Sequence, residues 1–199
     1  MSLRLTDDYV QSAVSIRAMA TNGAHDPAKR ELRFLLEATV KYLLVDQRLP
    51  SSDFSNKLQF LKDNVPRSSV DIVDDLVLSG LPAAEQTSLK SEVKDIYTKL
   101  SAFVHPSIIQ IQEDIKRYGR GEYLGFESAK EVERFAENSF RVFDIVLVLL
   151  FHGVGLGLAG DIFTAALDRI PDWKFHKGKY MHVLSRHFDY KVERKRCEP

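Results

Sequence analysis

His105 is followed by Pro106 and preceded by Ser101 at one helical turn and Lys99 a little further back. Histidine moves protons near neutral pH, a hydroxyl one turn away can place a substrate, and an ammonium can neutralise a phosphate. That chemistry needs a helix to set the spacing. In the stretch from Ser88 to Ser107, Leu89, Val93, Ile96, Leu100 and Phe103 recur at steps of three and four, a buried stripe widened by Tyr97 and Val104. At about 100° per residue, Lys94, Thr98, Ser101 and His105 follow a second stripe away from the core, and Lys99 sits about 120° round from His105. Lys94 and Thr98 thereby join the candidates for binding substrate. Pro106 disfavours helical geometry at His105 and puts the imidazole at a helix end, where it can face a cleft. The plainer reading of the same residues is a histidine that ends a helix and is stabilised by the negative end of the dipole.

The remaining pattern is helical throughout. Thr6 as a cap with Asp7 and Asp8 behind it predicts a helix over 5–20, ended by Asn22-Gly23. Asp26-Pro27 opens a longer one running to Gln47, in which Leu32, Leu35, Leu36 and Leu43 form the apolar side and Arg30, Arg33, Glu37 and Lys41 the polar one. Shorter helices are predicted over 53–64 and 70–78, then the central one from about Glu85 to His105, then one over 108–118, whose opening IIQIQ also suits a short strand. Ser128 with Glu131 is a capping box for a helix over 129–151, and two more follow over 161–170 and 180–188. The fold class is all-α: a bundle of long helices joined by short ones.

Charge and motif content exclude several functions. The 199 residues carry 28 Lys/Arg and 28 Asp/Glu, so no global field draws the chain to nucleic acid or membrane. The segment from Trp173 to Pro199 is locally basic, with eight Lys/Arg against three Asp/Glu. There its aromatics alternate with lysines, a pattern that suits either base stacking and phosphate contact or a helix with solvated lysines. Cys197 alone allows no intramolecular disulfide and no cysteine zinc cage, and no signal-peptide pattern opens the chain, so a cytoplasmic location is expected. Gly155, Gly157 and Gly160 match the dinucleotide fingerprint, but too little chain follows to build the sheet that motif needs. The apolar run over 145–160 is interrupted by His152 and shorter than the roughly 20 residues of a membrane span. His176, His182 and His187 lack zinc-enzyme spacing, so no metal and no cofactor is expected.

At two segments the chain resembles the HEPN superfamily, helical domains of prokaryotic toxins, phage-defence proteins and RNA-processing nucleases. RELRFLLEATVKYLLVDQ, Arg30 to Gln47, is similar to the long second helix of bacterial members, and YTKLSAFVHPS, Tyr97 to Ser107, sits where that family places its R-x(4–6)-H motif. The likeness implies a HEPN-like bundle over 1–151 and a basic helical extension over 152–199 packed on the same domain. It further implies a cytoplasmic homodimer that binds RNA or a nucleotide and cleaves RNA without a metal, as a ribonuclease in phage defence or stress response. Carried over, His105 is the acid/base group, Ser101 the polar position beside it, and Lys99 stands at the spacing of the arginine. Lysine cannot form the bidentate clamp of a guanidinium. Arg30 or Arg33, on the second helix, is expected to supply it. The alternative function is a non-catalytic helical interaction or dimerisation module that binds a protein partner.

Overall fold

In a computed structural model of the chain, the described residues are 1–104, 107–123, 128–167, 170 and 173–188. They form eight α-helices and no strand: α1 (Thr6–Thr21), α2 (His25–Arg48), α3 (Phe54–Asn64), α4 (Ala83–Ser101), α5 (Ile108–Gly119), α6 (Ala129–Val154), α7 (Leu156–Ala165) and α8 (Lys179–Arg186). The fold is an all-α helical bundle. Short 3-10 turns at Ser2–Leu5, Asp71–Asp75 and Lys174–Lys177 join or flank them. The axis of the bundle is the pair of longest helices, α2 and α6, with α1 and α4 packed beside α2. The pair runs parallel: His25 meets Phe135 toward their starts, and Leu43 lies by Gly153 toward their ends. Leu32, Leu35, Leu36, Val40 and Leu43 on α2 meet a core that includes Val142, Ile145, Val148 and Leu149 on α6, all of them almost wholly buried. Each such side chain contributes about 1.5–3 kcal/mol by leaving water. Thr39, the one hydroxyl on that face of α2, donates to the Leu35 carbonyl at 2.7 Å and so enters the core satisfied.

Local signals set most helix ends. Asp53 caps α3 by accepting from the Asn56 N–H at 2.8 Å, and Ser128 caps α6 by accepting from the Glu131 N–H. Three elements depart from the sequence reading. Over 70–78 only the turn Asp71–Asp75 is helical; beyond it the Gln47 side chain donates to the Val77 carbonyl at 2.7 Å and accepts its N–H at 3.0 Å. That pairing holds an extended backbone that a segment rich in aspartate and β-branched residues adopts readily. α4 stops at Ser101 because Phe103 and Val104 donate to carbonyls three residues back and the Arg30 Nε–H takes the Phe103 carbonyl. The helix expected over 161–170 instead begins at Leu156, directly after Gly155, whose φ of +89° makes the break between α6 and α7. The glycine cluster is therefore a helix breaker. No single helix among the described residues is long and apolar enough to cross a membrane.

α8 is bound to the bundle by a buried carboxylate. Asp144, near the middle of α6, is 2% exposed and accepts the N–H groups of Tyr180 and Met181 at 2.8 and 3.0 Å, so a side chain from another helix caps α8. Burial pushes its carboxyl up from the ordinary aspartate value, against the lowering effect of those two amides. Gly178 lies against it, and a Cβ there would stand 2.1 Å from Asp144 Oδ1. Its φ of −63° suits any residue, so glycine is needed here for space. On the outer side, Glu92 of α4 accepts from the Tyr180 hydroxyl at 2.7 Å, from Lys179 at 3.0 Å and from Arg141 at 2.7 Å. Burial raises the Glu92 carboxyl, but these three donors outweigh it and leave it below the usual glutamate range. α6 runs past 151 to Val154, and the buried Tyr180, Met181 and Leu184 belong to the same core.

Candidate functional site

Two polar assemblies meet near the C-terminal end of α4. The first lies between α2 and α4. Arg33 donates from Nε to Ser101 Oγ at 3.0 Å and from its terminal nitrogen to the Tyr97 hydroxyl, while its guanidinium carbon sits 4.5 Å from the Tyr97 ring centroid. The Tyr97 hydroxyl donates in turn to Glu37 at 3.1 Å, and Glu37 is closed off by Arg33 at 3.4 Å and by a short contact with Lys41. Burial raises the Tyr97 phenol above its ordinary value and the Glu37 charge raises it further, so the hydroxyl stays protonated and donates. Ser101 Oγ donates to the Tyr97 carbonyl at 2.7 Å. Arg30, one turn before, reaches the Phe103 carbonyl. Two guanidiniums from α2 thus grip the end of α4.

The second assembly is a cleft of about 720 Å³ between the start of α2, the end of α4, α5 and the first half of α6. Seven cations line it, Lys29, Lys99, Lys116, Arg117, Arg120, Arg134 and Arg141, against the two carboxylates Glu113 and Glu131. Its floor is apolar and aromatic. His25 stacks on Phe135 with ring centroids 4.9 Å apart and planes 8° from parallel, and Lys29 sits 3.8 Å from the centre of the Phe103 ring. Most of the cations also hold a carboxylate: Lys29 has Asp26 at 2.9 Å, Lys99 has Asp95 at 2.7 Å, Arg120 has Glu122 at 2.7 Å, Arg134 has Glu131 at 2.8 Å and Arg141 has Glu92 at 2.7 Å. These partners fix where the cations point and temper the field. Arg120, Arg134 and Lys99 are half-exposed or more, so a phosphate can compete for them at small cost.

No protein-family model, curated protein or solved structure matches the chain. What the site can do follows from its residues. Of the sequence candidates, Arg33 and Ser101 are in direct contact, with Arg30 beside them. Lys99 and Thr98 line the cleft instead, and Thr98 Oγ1 is turned back to the Lys94 carbonyl at 2.8 Å. Lys94 is elsewhere, paired with Asp74 on the flank that faces the Asp71–Asp75 turn. His105 and Pro106 lie outside the described residues; Phe103, two positions earlier, lines the cleft. The cations contributed by α5 and α6 escaped the sequence reading. Their signal was present in Lys116, Arg117 and Arg120, and in Arg134 and Arg141 seven residues apart on one helix face. Among the described residues no group of three or more His, Cys, Asp or Glu side chains could hold a metal.

Proposed function

We propose that this chain is a cytoplasmic RNA-binding protein of HEPN-like type, whose cleft holds the phosphate backbone and whose His105 drives metal-independent cleavage. The observation that carries the reading is the convergence of seven lysines and arginines from four helices on one cleft with an aromatic floor. Cations along a groove suit a single-stranded polyanion, whose phosphates take the cations, while the buried rings of His25, Phe135 and Phe103 form an apolar floor that shapes the groove. Arg120, Arg134 and Arg141 supply the bidentate donors that Lys99 lacks. Arg33 is committed to Tyr97, Ser101 and Glu37, and its role is to hold the end of α4, from which the chain continues to His105.

In the cleavage step His105 takes the proton of a ribose 2′-hydroxyl, the 2′-oxygen forms a bond to phosphorus, and the bond to the 5′-oxygen breaks as that oxygen takes a proton from water, the imidazolium then returning its proton to solvent. The products are a 2′,3′-cyclic phosphate and a 5′-hydroxyl. DNA has no 2′-hydroxyl and is bound but left intact. The test is incubation of a mixed-sequence RNA and the matching DNA with the protein in EDTA, using wild type, His105→Ala and Lys99→Ala. Cleavage of RNA alone, lost in His105→Ala and weakened in Lys99→Ala, supports the proposal; an intact RNA with every protein removes the nuclease assignment. The exposed apolar face of α5 favours a second reading, an interaction module.

A further inference from the structure

α5 brings its polar face to the cleft, where Glu113, Lys116, Arg117 and Arg120 follow one another at helical spacing. Within that face Glu113 stands out. A carboxylate beside a path for phosphates repels them, and the other carboxylate of the cleft, Glu131, is neutralised by Arg134 at 2.8 Å. Glu113 is half-buried and has two cations within one turn, Lys116 three positions on and Arg117 four positions on, the latter in the favoured order for a helical ion pair. It pairs with neither. Arg117 is turned to Asp26 at 3.9 Å and to Asp114 at 3.7 Å. Among the described residues the side chain of Glu113 has no hydrogen bond and no ion pair, and the same holds for Lys116.

Uncommitted acceptors in a cleft for a single strand select what can face them. In single-stranded RNA the Watson–Crick edges of the bases are open to such contact. Guanine alone presents two donors side by side on that edge, N1–H and the N2 amino group, which match the two oxygens of a carboxylate. Adenine and cytosine present one amino donor beside the lone pair of a ring nitrogen, and uracil sets its N3–H between two carbonyl oxygens. Each of these three turns a lone pair toward the carboxylate, so the group that accepts guanine rejects the others.

We propose that Glu113 reads guanine in the bound RNA, accepting from N1–H and N2–H with its two oxygens, while Lys116, one turn on, takes a phosphate of the same strand. The inference rests on the RNA reading of the cleft and adds to it the base that is selected. A bidentate pair to a base edge discriminates by about tenfold or more. The phosphates engaged are the same whichever base is present, so the preference lies in the affinity and leaves its salt dependence unchanged.

The test is fluorescence anisotropy of labelled oligouridylates carrying one guanosine, one inosine or one adenosine at the centre, with wild type and Glu113→Ala. Inosine keeps N1–H and lacks the N2 amino group. Wild type is expected to bind the guanosine strand about tenfold more tightly than the adenosine strand, with inosine between them and one salt slope for all three. Glu113→Ala is expected to bind all three alike, and the adenosine strand at least as tightly as wild type does, because the repelling charge is gone. Alanine favours the helix and no bond of Glu113 is lost, so circular dichroism is expected to be unchanged. Three strands bound alike by wild type overturn the inference and leave the RNA reading standing, as does a guanosine preference that survives in Glu113→Ala. Inosine bound as tightly as guanosine overturns the pairing through two donors. If none of the strands binds, the RNA reading falls and the inference with it.

Discussion

Replacing Gly178 by alanine is expected to release α8 from the bundle. The new Cβ would stand 2.1 Å from Asp144 Oδ1, 2.8 Å from its Cγ and 3.1 Å from the Phe175 carbonyl oxygen. The two Asp144 contacts are well inside contact distance, and the Phe175 carbonyl is tight by a few tenths of an ångström. The carboxylate must swing out, and the N–H groups of Tyr180 and Met181 then lose their acceptor in a buried position. Each orphaned buried donor costs about 1–3 kcal/mol, so the two together cost roughly 2–6 kcal/mol. That is a large share of the about 5–15 kcal/mol that holds a domain folded. Urea denaturation followed by circular dichroism measures the loss, and hydrogen exchange at the Tyr180 and Met181 amides locates it. Asp144→Ala alone is expected to cost a similar amount. With the carboxylate gone the collision largely disappears, so adding Gly178→Ala to Asp144→Ala is expected to cost less than about 1 kcal/mol, a strong coupling. Full additivity of the two substitutions, or a Gly178→Ala variant as stable as wild type, would refute the claim that this glycine is present to admit the cap.

Three further outcomes follow from individual side chains. His152 accepts the Gly80 N–H at Nε2 at 3.1 Å and donates from Nδ1 to the Val148 carbonyl at 2.8 Å, so its ring is neutral, and burial lowers its pKa from 6.5. Below pH 6.5 the unfolded chain takes a proton that the folded one resists, so stability is full above that pH and falls as pH drops toward the folded value. His152→Gln is expected to flatten urea midpoints measured between about pH 7.5 and 5.5. Tyr97→Phe removes the donor to Glu37 and the acceptor of Arg33, and is expected to lower stability by about 1–2 kcal/mol in the same denaturation assay, whereas Thr98→Ala is expected to change it by less than about 0.5 kcal/mol. Asp53→Ala is expected to cost about 1 kcal/mol, with the loss of helix confined to α3 in exchange measurements.

What could be read in the sequence was whatever is decided within one or two helical turns. The apolar stripes of α2 and α4, the caps at Asp53 and Ser128 and the break at Gly155 are local signals, and the helices follow them. The segment over 70–78 was misread because Gln47, thirty residues from Val77, decides its backbone. The candidate site divides in the same way. Arg30, Arg33 and Ser101 come together because two amphipathic helices must pack side by side, which their patterns foretell. The cleft was not foreseen, since its cations come from four helices and no spacing along the chain relates Lys29 to Arg134. Nor could the pattern of α5 say which way it faces: Ile108, Ile111, Ile115 and Tyr118 fall at helical spacing, which suits an inward face as well as an outward one, and they lie outside. His182 and His187 are exposed, while Tyr180 and Phe188, aromatics of the same basic segment, are buried in the core.

The central claim is that the cleft binds the backbone of single-stranded RNA. Fluorescence anisotropy of a labelled RNA, titrated with protein over a range of KCl concentrations, tests it most directly, with wild type beside the variant Lys116→Glu/Arg120→Glu/Arg134→Glu. All three cations lie on exposed parts of the cleft wall, so circular dichroism is expected to be unchanged. Wild type is expected to bind with an affinity that falls as salt rises, by about 0.7 in the log–log slope for each phosphate engaged, and the triple variant to lose at least about tenfold in affinity and about two units of that slope. A triple variant that binds RNA as tightly as wild type, with the same slope, would contradict the account.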